Sequence, residues 1–309
     1  MRAFHSDRHA LPLPPGHTFP QSKYLRLREL VEGWSELDAQ EAPPASDAQL
    51  ALAHAPGYVS AVAGNRLTAA EQRAIGFPWS ETMVERSRRS VGATIEAARA
   101  ALGEGVAANL AGGTHHASAV RGSGYCVFND VAVAARLIQA EAAQALRIAV
   151  IDLDVHQGDG TAAIFAGDTS VFTLSVHGEK NFPFRKATSD LDVALPDGCA
   201  DAEYLAALGH VLGALWCEHE ASPFALAFYL AGADPHEGDR LGRLKLSAGG
   251  LLERDRIVFA ALRERRIPVA LSMAGGYGND LDVTVAIQAA TIAAAIDAWR
   301  AWRGGDGGM

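Results

Sequence analysis

The chain has 309 residues, is 49% hydrophobic and carries a formal net charge of −9, a length and composition suited to one large or two modest buried cores. This excludes a disordered chain, and the interspersed arginines leave no basic footprint for nucleic acid or an anionic membrane. No run approaches the ~20 unbroken apolar residues of a membrane span and the first residues hold no signal-peptide core, so a cytoplasmic protein without nucleic-acid or membrane partners is expected.

The first 20 residues or so, with the Pro-rich stretch Leu11 to Pro20, read as irregular, and Pro43-Pro44 reads as a turn. From there, short apolar runs alternate with helical periodicity. Val106 to Leu110, Ile148 to Leu153, Val171 to Val176, Phe224 to Leu230 and Val269 to Ser272 are apolar on both faces, as buried parallel strands are. Between and after them, Asp130 to Leu146, Ala202 to His219, Ser247 to Arg266 and Asp280 to Trp302 carry apolar residues at helical spacing. Asn129 or Asp130 is placed to cap the first of these and Ser247 the third. Cys126, Cys199 and Cys217 lie far apart and form no CxxC, so they read as small buried fillers, not as a disulfide framework or a structural zinc cluster. No repeat or linker divides the chain. The expectation is one α/β domain over residues 1–309, a mostly parallel sheet between helical layers, with a loose tail at 304–309.

Open α/β sheets build their sites at the carboxyl ends of the strands. Four such ends hold polar residues: Gly112 to His116, Asp152 to Asp159, Ala231 to Asp234, and Ala274 to Gly278. In IDLDVHQGDG, Ile151 to Gly160, alternate residues of an extended chain put Asp152, Asp154 and His156 on one face. Burying such charge without a counter-ion costs several kcal/mol per ion, on the order of what a bound cation offsets, and no Lys or Arg is near in sequence. Oxygen and imidazole donors suit Zn²⁺ or Fe²⁺, and Asp154, His156 and Asp234 are the candidate ligands; capping of loops at strand ends is the alternative. His115 and His116 sit in a Gly-rich turn as a candidate base and acid, or as further ligands. Asp152 and Asp159 are spare carboxylates able to orient them. Tyr277 follows two glycines and is placed to donate a hydroxyl to a developing oxyanion, or simply to pack at a turn.

GTHHA, SGYCVFND, IDLDVHQGDGT, LAGADPHEGDRLG and AGGYG, in this order from about Gly112 to Tyr277, resemble the successive signatures of the zinc-dependent histone deacetylase superfamily, which includes acetylpolyamine amidohydrolases and acetoin-utilisation proteins. The resemblance implies an arginase-like three-layer α/β/α fold and hydrolysis of acylated lysine in proteins or of a small acylated amine. A non-catalytic acyl-ligand binder and a manganese ureohydrolase are the remaining readings. It makes Asp154, His156 and Asp234 the zinc ligands, Tyr277 the carbonyl-polarising hydroxyl, and His115 and His116 the tandem pair with Asp152 and Asp159 as partners. It walls an acyl tunnel with Gly124, Tyr125 and Phe182, puts Leu241 near the mouth and Gly275 and Gly276 beside the substrate. A potassium ion would be held partly by Asp152, Asp154, His156 and Ser175. EGDRLGRLKLS, RRIPVALSMAGGYG and Gln157 resemble the class IV branch. The N-terminal signature of many relatives is replaced by PGHTFPQSKY, and Glu81 is the candidate for an acidic rim residue.

Overall fold

The computed structural model describes residues 1–304. Eight strands form one sheet: β1 Arg2–His5, β2 Asp38–Glu41, β3 Val106–Asn109, β4 Arg147–Asp152, β5 Val171–Gly178, β6 Leu191–Leu195, β7 Phe224–Leu230 and β8 Val269–Ser272. Their order is β2-β1-β3-β8-β7-β4-β5-β6, and every neighbouring pair is parallel. The helices are α1 Ser22–Val31, α2 Asp47–Leu50, α3 Pro56–Ala63, α4 Ala69–Ile75, α5 Glu81–Glu104, α6 Asp130–Glu141, α7 Asp159–Phe165, α8 Asp201–Ala221, α9 Ala248–Glu264 and α10 Leu281–Gly304.

The apolar strands feed two cores, one on each side of the sheet. Ala149 and Ile151 of β4, with Ala227 and Tyr229 of β7, pack under α8, α9 and α10. Ile148, Val150, Leu226 and Phe228 point the other way, under α5 and α6. This is the alternation that a strand imposes when both faces are covered, and it produces the three layers. The expected caps are in place: Asn129 accepts from Ala132 N–H at the start of α6, and Ser247 accepts from Gly250 N–H at the start of α9. The former ends at Glu141, short of Leu146, because the chain must turn to enter β4; Gln139 Nε2 donates to the Leu146 carbonyl and holds that turn.

The structure corrects three expectations. The segment read as irregular contains β1, inserted between β2 and β3; four residues are too few to show a period. The 24-residue α5 was not anticipated, yet it covers β1, β3 and β8 and is capped by Ser80, which accepts from Met83 N–H. Of the cysteines, Cys126 and Cys199 are buried but Cys217 is exposed on α8. By length and composition α10 is apolar enough to cross a membrane, but most of that stretch is buried against α1, α9 and β3, as in a core helix. Residues 305–309 of the segment read as a loose tail lie outside the described residues, and Gly304 closes α10.

Candidate metal centre and catalytic pocket

The four polar strand ends belong to β3, β8, β7 and β4, adjacent and parallel, so they meet at the carboxyl end of the sheet. β4 ends at Asp152, and the chain beyond it leaves the sheet while keeping Leu153 and Val155 in the core and Asp154 and His156 on the opposite side. Backbone amides hold the carboxylates: Asp154 accepts from Gly275 N–H at 2.7 Å and His156 N–H at 2.9 Å, and Asp234 Oδ1 accepts from Val155 N–H at 3.0 Å. Gly275 is required here, since a Cβ on it would fall 1.8 Å from Asp234 Oδ2.

His156 Nδ1 lies 3.0 Å from Asp154 Oδ1 and 3.2 Å from Asp234 Oδ2. One ring N–H cannot serve both, and the contact to Asp234 lacks hydrogen-bond alignment, so Asp234 Oδ2 stays buried and unpartnered. A native structure rarely strands a buried carboxylate oxygen without reason. Asp154, His156 and Asp234 each offer a ligand atom within 4.8 Å of the others, all from buried side chains. Two carboxylates and an imidazole fit a divalent ion, and the orphaned oxygen is what an ion would satisfy. The charge cluster explains the acid-base shifts. Burial and the Asp154 charge push the Asp234 carboxyl up to about 7, while on Asp154 burial is outweighed by the imidazoles of His115 and His156, which hold its carboxyl well below the usual range.

The tandem histidines line the same pocket. His115 Nδ1 donates to Asp152 at 2.7 Å and His116 Nδ1 donates to Asp159 at 2.6 Å, which leaves Nε2 of His116 available and sets that of His115 3.9 Å from Asp154 Oδ1. Their electrostatics diverge. Burial disfavours charge on both, but the Asp152 and Asp154 carboxylates outweigh it at His115 and lift it to about 9. At His116 burial and the neighbouring His115 charge prevail and push it down to about 4. Ser175 is the register partner of Asp152 across β4 and β5, and its hydroxyl hydrogen bonds with His177 at 3.0 Å.

Tyr277 is fixed through its backbone. Its N–H donates to Asp239 at 2.6 Å and its carbonyl accepts from Arg240 Nε at 2.8 Å. Lys23, fully buried, donates to the carbonyls of Ala274 and Gly276 at 3.3 and 3.1 Å and lies over the Tyr277 ring. Gly124 (φ 53°) and Tyr125 (φ 66°) both adopt left-handed backbone, which brings the chain against His116; a Cβ on Gly124 would meet that ring at 2.7 Å. A cleft of about 750 Å³ lined by Gly124, Tyr125, Phe182 and Leu241 runs to His116, His156 and Tyr277. Gly275 lines the inner pocket. Gly276 and Glu81 are not among the residues lining these two cavities; the Gly276 carbonyl accepts from Lys23, and Glu81 begins α5.

The histone deacetylase domain is matched over residues 17–294. The chain belongs to the histone deacetylase family. It is similar to an uncharacterised protein of Picosynechococcus sp., 44% identical over 281 residues that span 90% of this chain and 92% of that one. It is also similar to histone deacetylase 2 of Arabidopsis thaliana, 32% identical over 273 residues, spanning 84% and 70%. Among solved structures, a histone deacetylase homologue complexed with SAHA matches with a TM-score of 0.77 and 26% identity, covering 98% of this chain and 84% of its own. A homologue from Aquifex aeolicus matches with 0.78 and 24%, with the same coverage, which supports the fold. The family acts on amides, and this chain is a hydrolase of that kind.

Two supports of the family site carry no sequence motif. Arg254, fully buried on α9, donates to the carbonyls of Leu153 and Gly232 at 3.2 and 2.7 Å, bridging the segments that present Asp154 and Asp234. Asp255 accepts from Arg254 Nε at 2.9 Å, Tyr229 at 2.5 Å and Thr291 at 2.6 Å. Arg254→Met strands the Asp255 charge and is expected to destabilise the fold by about 3–5 kcal/mol. Adding Asp255→Asn should recover part of that loss in urea unfolding, and no recovery would show that the charge pair is not what Arg254 supports.

His54 braces the histidine turn. Its Nε2 accepts from Asn129 N–H at 2.9 Å, so the proton sits on Nδ1, which donates to the Ser118 carbonyl at 3.0 Å. Burial pushes this imidazole down to about 4 from its ordinary 6.5, so the unfolded chain takes up the proton first. His54 therefore contributes stability in full above about pH 6.5 and loses it as pH falls toward about 4, by about 3 kcal/mol at most. His54→Gln should flatten that portion of the stability–pH profile relative to the parent; an identical slope would remove the assignment.

Proposed function

We propose that the protein removes acyl groups, acetyl or longer, from the side-chain amine of acylated lysine in proteins. The observation that carries this reading is an inner pocket lined by Asp154, His156, the two carboxylate-partnered histidines and Tyr277, with Asp234 clustered on Asp154 and His156, and reached from the cleft past His116, His156 and Tyr277. Zinc is the favoured ion for that donor set, with iron(II) as the alternative; when bound it polarises the amide carbonyl and makes water acidic near neutral pH. Potassium is assigned to the space between Asp152 and Ser175, and the branch to class IV, on the motifs given above.

The residues of the chain then divide the work. Phe182, Gly124 and Tyr125 enclose the acyl arm and keep bulk water from the amide. Tyr277 donates its hydroxyl to the carbonyl oxygen as negative charge grows there. His116, its Nδ1–H directed to Asp159, takes the proton of the attacking water at Nε2 and returns it to the departing amine. His115, held by Asp152, acts as a fixed electrostatic partner.

The test is release of free acid from acyl-lysine peptides of graded chain length, with and without a chelator, beside acetylated polyamines. Chelator-sensitive turnover of the peptides is expected. No release from any peptide removes the reading, and faster turnover of polyamines replaces it with small-amine deacylation.

A further inference from the structure

The mouth of the cleft carries a charge opposite to that of the protein as a whole. The chain has a net charge of −9, yet Arg73, Lys180, Arg240 and Arg243 line the cleft, and among the described residues no carboxylate does. Asp239 borders the cleft, but its carboxylate is taken up by the backbone N–H groups of Leu241, Gly242 and Tyr277. Arg240 is spent on the neutral carbonyls of Tyr277 and Thr18. Arg243 and Lys180 share a single carboxylate, Asp197, at 3.2 and 4.0 Å. Arg73, exposed on α4, makes no ion pair among the described residues. Clefts lined by one sign of charge concentrate the field and select the charge of what enters.

We propose that Arg73, Lys180 and Arg243, with Arg240 holding the rim backbone between them, select a substrate whose acylated lysine lies in an acidic polypeptide segment. The inference rests on the deacylase reading above and names its substrate class. Acylation removes the charge of the lysine itself, so the mouth reads the residues on either side. Flanking Asp or Glu meets Arg73, Lys180 and Arg243. An acetylated polyamine keeps at least one ammonium and brings it into the same field, where it is repelled. The exposed Phe184 and Leu241 at the mouth supply apolar contact for the peptide between its charges.

The zinc-loaded full chain is assayed on acyl-lysine peptides identical except for flanks of Glu, Ser or Lys, and on N-acetylated polyamine. The expected order in kcat/KM is Glu, Ser, Lys, with about tenfold between the extremes at low salt, expressed in KM and shrinking as salt screens the surface. Arg73→Glu combined with Lys180→Glu should bring the Glu-to-Lys ratio to one or below; both side chains are exposed, and a melting curve confirms folding. The peptide ranking itself does not depend on the variant. Turnover of all three peptides at equal rates, or fastest with Lys flanks, overturns this inference alone. Absence of turnover on every substrate overturns the deacylase reading and this inference with it.

Discussion

Tyr277→Phe is expected to lower kcat by about 10²–10³-fold, the loss typical of removing one oxyanion donor, with KM, metal content and melting temperature close to the parent. The variant isolates the hydroxyl because almost everything that positions Tyr277 acts elsewhere. Asp239 and Arg240 grip its backbone N–H and carbonyl, Lys23 ties down the carbonyls on either side of Gly275, and the ring packs near Tyr125 and His156. A phenylalanine ring keeps the packing. Burial raises the phenol pKa well above its ordinary value, so at neutral pH the side chain is a neutral donor and the deletion removes no charge. The measurement is steady-state kinetics on the best acyl-lysine peptide, with metal analysis of the same preparation. A kcat within a factor of about three of the parent would remove Tyr277 from the reaction. A large loss accompanied by lost metal would instead assign it a structural part.

How far the sequence exposes this site depends on where each residue's partners lie. IDLDVHQGDG announces itself because charge interrupts an apolar strand, and its two-residue period correctly separates Asp154 and His156 from Leu153 and Val155. The reason differs from the one the period suggests. β4 stops at Asp152, and the alternation beyond it is kept by burial of Leu153 and Val155 and by the His156 amide and imidazole turning back onto Asp154 Oδ1. The partnerships His115–Asp152 and His116–Asp159 were accessible only through resemblance, since spacing does not say which carboxylate faces which ring. Lys23 and Arg254 left no trace at all. A lone lysine before a tyrosine and an Arg-Asp pair in a helix both read as solvated surface, and only the fold brings them to carbonyls up to 253 residues away. The N-terminal elements were missed for a related reason. β1 and β2 are four residues each and gain their stability from neighbours in the sheet, which no local pattern records.

Asp234→Asn is expected to stabilise the metal-free protein while abolishing tight metal binding. In the parent, Asp234 is fully buried, its Oδ1 satisfied by Val155 N–H and its Oδ2 aimed without a partner at the Asp154 and His156 side chains. Buried in one cluster, Asp154 and Asp234 oppose each other's charge, which the apoprotein answers by pushing the Asp234 carboxyl up to about 7 and which a bound cation would answer directly. An asparagine can keep the Val155 bond with its oxygen and turn its NH₂ toward Asp154, converting repulsion into a hydrogen bond. The metal-free variant should therefore exceed the metal-free parent by about 1–3 kcal/mol. Zinc should reverse the order. Binding to the native state alone adds about 4 kcal/mol at a thousandfold excess over Kd, and the variant forgoes it, losing more affinity than the 10–100-fold typical of a ligand's outer hydrogen-bond partner. Melting curves with chelator and with zinc, joined to a competition titration against a chromophoric chelator, read both effects. If chelation leaves the parent's melting temperature unmoved, or if the variant binds zinc as tightly as the parent, the cluster is not a metal centre, and its orphaned oxygen needs another cause.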